Sequence, residues 1–122
     1  MAKKILIVDD EPHIVKMLQA RLEFQEYEVI VATDGQDGLD KVRSEKPDLI
    51  ILDISLPKLN GYEVCQALRA DEKHKDIPVV MLTASGQALD IMQGMKGGAD
   101  AYITKPFNSE ALLGILRGFL KE

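Results

Sequence analysis

The sequence contains no tryptophan and one cysteine, and aromatic residues make up only 5% of it. A lone cysteine, Cys65, excludes an internal disulfide framework and a Cys-based zinc centre, and it fits a reducing compartment. No apolar run approaches the roughly 20 residues that a membrane-spanning helix needs. Lys3-Lys4 followed by Ile5–Val8 looks like the start of a signal peptide. However, the apolar stretch is too short for one and runs straight into Asp9-Asp10-Glu11. Positive charge is also in short supply. The net charge is −5, so the basic face needed to grip nucleic acid or an anionic membrane is missing. With nine glycines and five prolines the chain is neither fibrous nor of low complexity. These absences predict a cytoplasmic protein with no direct nucleic-acid or membrane partner.

What is present suits a single domain over residues 1–122. Hydrophobic residues make up 46% of the 122, enough for a real core at this length. Five short apolar runs recur along the chain: Ile5–Val8, Val29–Ala32, Leu49–Leu52, Val79–Leu82 and Ala101–Thr104. The first four are rich in Val, Ile and Leu without alternation, as in strands buried on both faces. Amphipathic stretches separate or follow them. They are marked by Ile14, Leu18 and Leu22; by Leu39 and Val42; by Val64, Cys65 and Leu68; by Ala88, Met92 and Met95; and by Leu112, Leu116, Phe119 and Leu120. Pro12 can open the first helix, Gly97-Gly98 can close the fourth, and Asn108 or Ser109 can cap the fifth. Strand followed by helix, five times over, predicts an α/β fold: a doubly wound, five-stranded parallel sheet with helices on both faces.

Ligands of open parallel sheets bind beyond the carboxyl ends of the strands. There the first strand runs into Asp9-Asp10, the third into Asp53, the fourth into Thr83, and the fifth into Lys105-Pro106. Three acids and one amine would be brought to neutrality by one Mg²⁺, a cation that takes hard oxygen ligands and keeps waters. A carboxylate facing such a cation, a Lys and a hydroxyl is equipped to accept a phosphoryl group. Taken singly, each residue has a plainer reading. Asp9-Asp10 could cap the first helix, Thr83 is at home in a strand, Lys105 is of the most solvated type, and Tyr102 is a core aromatic by default.

Together, in order, these segments resemble the receiver domain of two-component response regulators, the fold of the chemotaxis regulators. The resemblance rests on Ile5-Leu6-Ile7-Val8-Asp9-Asp10-Glu11, Asp53-Ile54-Ser55-Leu56-Pro57 with Gly61, Thr83-Ala84, and Gly98 through Phe107. It covers essentially the whole chain and implies a flavodoxin-like (βα)5 fold with strand order 2-1-3-4-5. It implies Asp53 as phosphoacceptor, with Mg²⁺ held by Asp10, Asp53 and the Ser55 carbonyl, and by Asp9 mostly through water. Thr83 and Lys105 would contact the phosphoryl oxygens, Tyr102 would turn inward as Thr83 moves, and the Lys105–Pro106 bond would be cis. The donor would be a sensor histidine kinase or a phosphotransfer protein. The output would be a face made of the fourth helix, fifth strand and fifth helix, acting on a downstream effector. No turnover of a separate substrate is implied. Ile91 and Ala101 stand where winged-helix relatives carry charges that pair across a dimer, which favours a monomer or a weak phosphorylation-dependent dimer. Ser55 and Ser85 occupy positions that tune phosphoryl lifetime.

Other readings are a phosphorylation-independent interaction module, a receiver cut from a longer regulator or hybrid kinase, an Asp-nucleophile phosphatase and a flavodoxin-like electron carrier. The phosphatase would want a second Asp where Ser55 stands. The electron carrier would bring an anionic phosphate against Asp9-Asp10-Glu11. Cys65 reads as a core thiol, and His13 and His74 as surface residues with no partner acid or cysteine at metal-ligand spacing.

Overall fold

The computed structural model describes residues 2–84 and 98–121. Five parallel strands alternate with four described helices. They are β1 (Lys4–Val8), α1 (Pro12–Phe24), β2 (Glu28–Ala32), α2 (Gly35–Glu45), β3 (Leu49–Asp53), α3 (Gly61–Arg69), β4 (Val79–Ala84), β5 (Ala101–Lys105) and α4 (Ser109–Leu120). The last of these is the fifth helix expected from the sequence. The expected fourth helix, with Ala88, Ile91, Met92, Met95 and Gly97, lies outside the described residues, as does Ser85. The strand order is β2-β1-β3-β4-β5.

The central strands alternate their side chains between two cores, which is why their sequences are apolar throughout. Leu6, Val8, Ile50, Leu52, Val79 and Met81 face α2 and α3, packing with Leu39, Val42, Val64, Cys65 and Leu68. Ile5, Ile7, Leu49, Ile51, Val80 and Leu82 face α1 and α4, packing with Leu18, Leu22, Leu112 and Leu116. β2 departs from the expectation of full burial. It is an edge strand, and Val29, Ile30 and Val31 are only half-buried.

Helix ends follow local chemistry. Pro12 sits in the first turn of α1, where the missing N–H costs nothing. Asn60 and Glu63 form a reciprocal capping box on α3. Asn108 accepts from the N–H groups of Glu110 and Ala111 at the start of α4. His74 corrects the sequence reading. It is buried, because Asp71 three residues earlier supplies a partner 2.9 Å from Nδ1, and Lys73 and Lys75 on either side stay exposed.

One unforeseen clamp ties the far end of the sheet. Arg69 at the end of α3 donates to the carbonyls of Gly98, Lys75 and Ile77 and to Asp100 Oδ2, all within 2.9 Å. The same Asp100 oxygen accepts the Val79 N–H at 2.8 Å. Gly98 has φ of +92°, and a side chain there would press on Arg69.

Gly61 packs just as tightly at the other end. An added Cβ would stand 2.7 Å from the Asp53 carbonyl oxygen and 2.8 Å from Ile54 Cα. Gly61→Ala should therefore cost about 1–3 kcal/mol of stability. Gly114, mid-helix in α4 with nothing within 4 Å of such an atom, should gain roughly 0.5–1 kcal/mol as alanine. Denaturant melts of the two variants should shift in opposite directions.

Candidate functional site

The order β2-β1-β3 means that the chain reverses its direction of winding between β1 and β3. The loops after these two strands diverge and leave a crevice. Asp9 follows β1 and Asp53 ends β3. Asp9, Asp10 and Asp53 each bring a carboxylate oxygen to within 4.8 Å of the others. Asp9 and Asp53 are buried, while Asp10 is exposed. Neither Asp9 nor Asp10 caps α1 as the plainer reading allowed. The N-cap position is Glu11, and no side chain caps there.

Both buried acids are held by the same local device. Asp9 Oδ1 accepts the N–H of Glu11 at 3.0 Å, and Asp53 Oδ1 accepts the N–H of Ser55 at 3.3 Å. Each acid therefore turns its second oxygen toward Lys105, whose Nζ is 3.3 Å from Asp9 Oδ2 and 3.6 Å from Asp53 Oδ2. Asp9 Oδ2 is fully buried, and its contact with Lys105 is an ion pair without hydrogen-bond geometry, so it keeps an unused acceptor. Hard oxygen donors close together, one with spare capacity, are a donor set that fits a divalent cation.

Burial pushes the Asp53 carboxyl above the usual aspartate range. The charges of Asp9 and Asp10 add to this, while Lys105 and the Ser55 N–H pull the other way. For Lys105, burial disfavours the ammonium, but Glu11, Asp53 and Asp9 outweigh it and hold its pKa above the ordinary lysine value. The shortest contact of Lys105 is with Glu11 Oε1, at 2.9 Å. The sequence reading counted three acids here and left out this fourth. Its signal was its place directly after Asp9-Asp10.

The remaining expected residues lie around this cluster. Leu82 pairs with Asp53 across the β3–β4 ladder, so the buried Thr83 stands one residue beyond the acid on the neighbouring strand. Lys105 pairs with Ala84, and Tyr102 with Met81. Ser55 is exposed on the loop after β3. The Lys105–Pro106 bond is cis. Tyr102 packs partly buried against the core under α3, and its hydroxyl is buried. Burial first, then nearby Cys65 and Tyr62, push the phenol up to about 12. The Ala99 backbone is close enough to ease this slightly without completing a hydrogen bond to the hydroxyl.

A parallel sheet of this order, with acids clustered at its switch point, can be compared with known proteins. The profile of the response regulator receiver domain matches residues 5–117. The chain belongs to the response regulator receiver domain family. It is 48% identical over 118 residues to the DNA-binding dual master transcriptional regulator RpaA of Synechocystis, covering 97% of this chain and 49% of that protein. The putative response regulator of Chloroflexus aurantiacus superposes with a TM-score of 0.95 at 33% identity, covering 100% of both chains. The receiver domain of the sensor histidine kinase PA1611 of Pseudomonas aeruginosa superposes with a TM-score of 0.91 at 29% identity, again over 100% of both chains. That domain carries a magnesium ion coordinated in its active-site cleft. The chain spans about half the length of the curated relatives it matches.

The receiver's acid cluster generates a pH prediction. Two unit charges about 5 Å apart repel by about 1 kcal/mol even at the dielectric of water. Asp53→Asn removes one of them, so without divalent cation at neutral pH it should melt a few degrees above the wild type. Because Asp53 has a raised pKa in the fold, its cost is fully present above that value. The cost fades as the pH falls through it toward the ordinary aspartate range. The gap between the two melting curves should close in acid.

Proposed function

We propose that this receiver accepts a phosphoryl group on Asp53 from a phosphohistidine of a sensor histidine kinase or a phosphotransfer protein. The observation that carries this reading is the meeting of three carboxylates within 4.8 Å of one another beside the half-buried Lys105. Asp53, like Asp9, has one oxygen fixed by a backbone N–H and the other turned to the lysine, and of the two it is the acid on the strand that pairs with β4, next to Thr83. In the transfer, that second oxygen attacks phosphorus, the phosphorus–nitrogen bond to the imidazole breaks, and the donor histidine leaves with its nitrogen electron pair. Lys105 and Thr83 would then meet the phosphoryl oxygens. Bound Mg²⁺, held by Asp9, Asp10, Asp53 and the Ser55 carbonyl, would supply the positive charge that this build-up of anionic oxygen requires. The protein turns over no separate substrate.

Residues 1–122 act as one signalling unit. Phosphorylation takes Asp53 from −1 to about −2, drawing in Thr83 and Lys105. Movement of Thr83 would free space toward Tyr102, the expected moving aromatic, whose hydroxyl is already buried in this structure. The output face would include β5 and α4 and would meet a downstream effector protein, with the receiver monomeric or weakly dimeric on phosphorylation. Ala101 is half-buried against the core under α1 and α4, so it offers no charge to a dimer contact. Ile91 lies outside the described residues. The DNA contact in the name of RpaA belongs to a protein only half matched, and the −5 charge of this chain argues against nucleic-acid contact by its own residues.

Intact mass after treatment with acetyl phosphate and Mg²⁺ tests the central claim. The wild type should gain one phosphoryl group and Asp53→Asn none; an equal gain in both would remove Asp53 from the role. The cation itself is tested by melting. Mg²⁺ at ten times its Kd should stabilise the wild type by about 1.4 kcal/mol, a few degrees. Asp10→Ala should lose most of that gain, and Asp37→Ala, outside the cluster, should keep it. Amide NMR with beryllofluoride tests the switch. Shifts should extend from Asp53 to Tyr102 and β5, and shifts confined to the loop after β3 would refute it.

A further inference from the structure

Glu11 occupies the N-cap position of α1 in extended backbone, with φ of −92° and ψ of 108°. Its side chain accepts from no helix N–H there. It reaches across the crevice instead, and Lys105 Nζ donates to Oε1 at 2.9 Å. This is shorter than the ammonium's distances to Asp9, 3.3 Å, and to Asp53, 3.6 Å. The ammonium also holds Glu11 below the usual glutamate range.

We propose that Glu11 is a restraining residue for phosphoryl acceptance: its carboxylate holds the Lys105 ammonium away from Asp53 until an incoming phosphoryl group competes for it. This rests on the reading of Asp53 as phosphoacceptor and Lys105 as the cation that meets the phosphoryl oxygens.

The geometry supports this function. Lys105 has three donor hydrogens but one position, and a charge-assisted bond at 2.9 Å sets that position more strongly than an ion pair at 3.6 Å. The ammonium must therefore leave Glu11, or share it, to bond an oxygen of a group attached to Asp53. Its side chain is 44% exposed, so Glu11 has room to turn aside when a phosphoryl oxygen competes for the ammonium.

The reaction that reads this out is phosphorylation by acetyl phosphate at saturating Mg²⁺. An Asp53 oxygen attacks phosphorus, the bond to the acetate oxygen breaks, and acetate leaves with that electron pair. Glu11→Gln keeps the shape and removes the charge, and Glu11→Ala removes both. Each should take up phosphate about three- to fivefold faster than the wild type at low acetyl phosphate, as loss of one partly exposed competing ion pair implies. Each should also bind beryllofluoride more tightly by a similar factor. Glu72→Gln, which removes an equal charge from an exposed turn, should match the wild type. In a Lys105→Ala background, Glu11→Gln should bring no gain, because the cation it restrains is gone.

An unchanged or slower rate in both Glu11 variants, with melting temperatures like the wild type's, would overturn the restraint. So would a gain that survives in Lys105→Ala, which would mean that Glu11 acts only as bulk charge. A wild type that takes up no phosphoryl group at all would instead remove the phosphoacceptor reading beneath it.

Discussion

Like charges do not gather without something to hold them. At the carboxyl edge of this sheet the backbone brings Asp9, Asp10 and Asp53 within 4.8 Å of one another, and the described residues offer one ammonium, Lys105, among them. The rest of the site follows from that imbalance. Burial and the neighbouring acids raise the Asp53 pKa, and the same acids raise that of Lys105. The fold accepts the repulsion because strands β1 and β3 end there, anchored by residues that are wholly buried. A folded core of this kind can carry a strained functional edge, because the stability is generated elsewhere.

The opposite end of the molecule has the contrary character. Arg69, Asp100 and the Val79 N–H join α3, β4 and β5 through short hydrogen bonds with no surplus charge of one sign. The two strands that carry Thr83 and Lys105 at one end are thus pinned together at the other. Rearrangement near the acids can then alter side chains and loops while the β4–β5 register, Met81 with Tyr102 and Thr83 with Thr104, stays as a fixed frame. Tyr102 is the second residue of β5 in that frame, with a buried hydroxyl.

Much of this was legible from residue order. Five apolar runs and the helical stretches around them gave the layers, and the strand-end positions of Asp9, Asp53, Thr83 and Lys105 pointed to one edge. What was missed were relations between side chains distant in sequence or concealed by an ordinary residue type. Arg69 looked like any polar residue ending an amphipathic helix, yet its guanidinium bridges three segments. His74 looked solvated because Asp71 was not weighed as its partner. Glu11 was passed over because only the acids beside it had a role to fill, while its distance from Lys105, 94 positions along the chain, concealed their contact.

The sequence by itself determined the period of hydrophobicity, and with it the parallel sheet, the two-sided core and the residue types at the strand ends. Those are local properties, set by side-chain alternation and by how apolar surface leaves water. Tertiary structure alone decided which oxygen of each acid faces the ammonium, and that Glu11 rather than Asp53 is its nearest partner. It also decided that β2, as apolar as its neighbours, lies half-buried at the edge. Ion pairs and hydrogen bonds depend on separations of a few tenths of an ångström, and those are fixed only when the whole chain has packed.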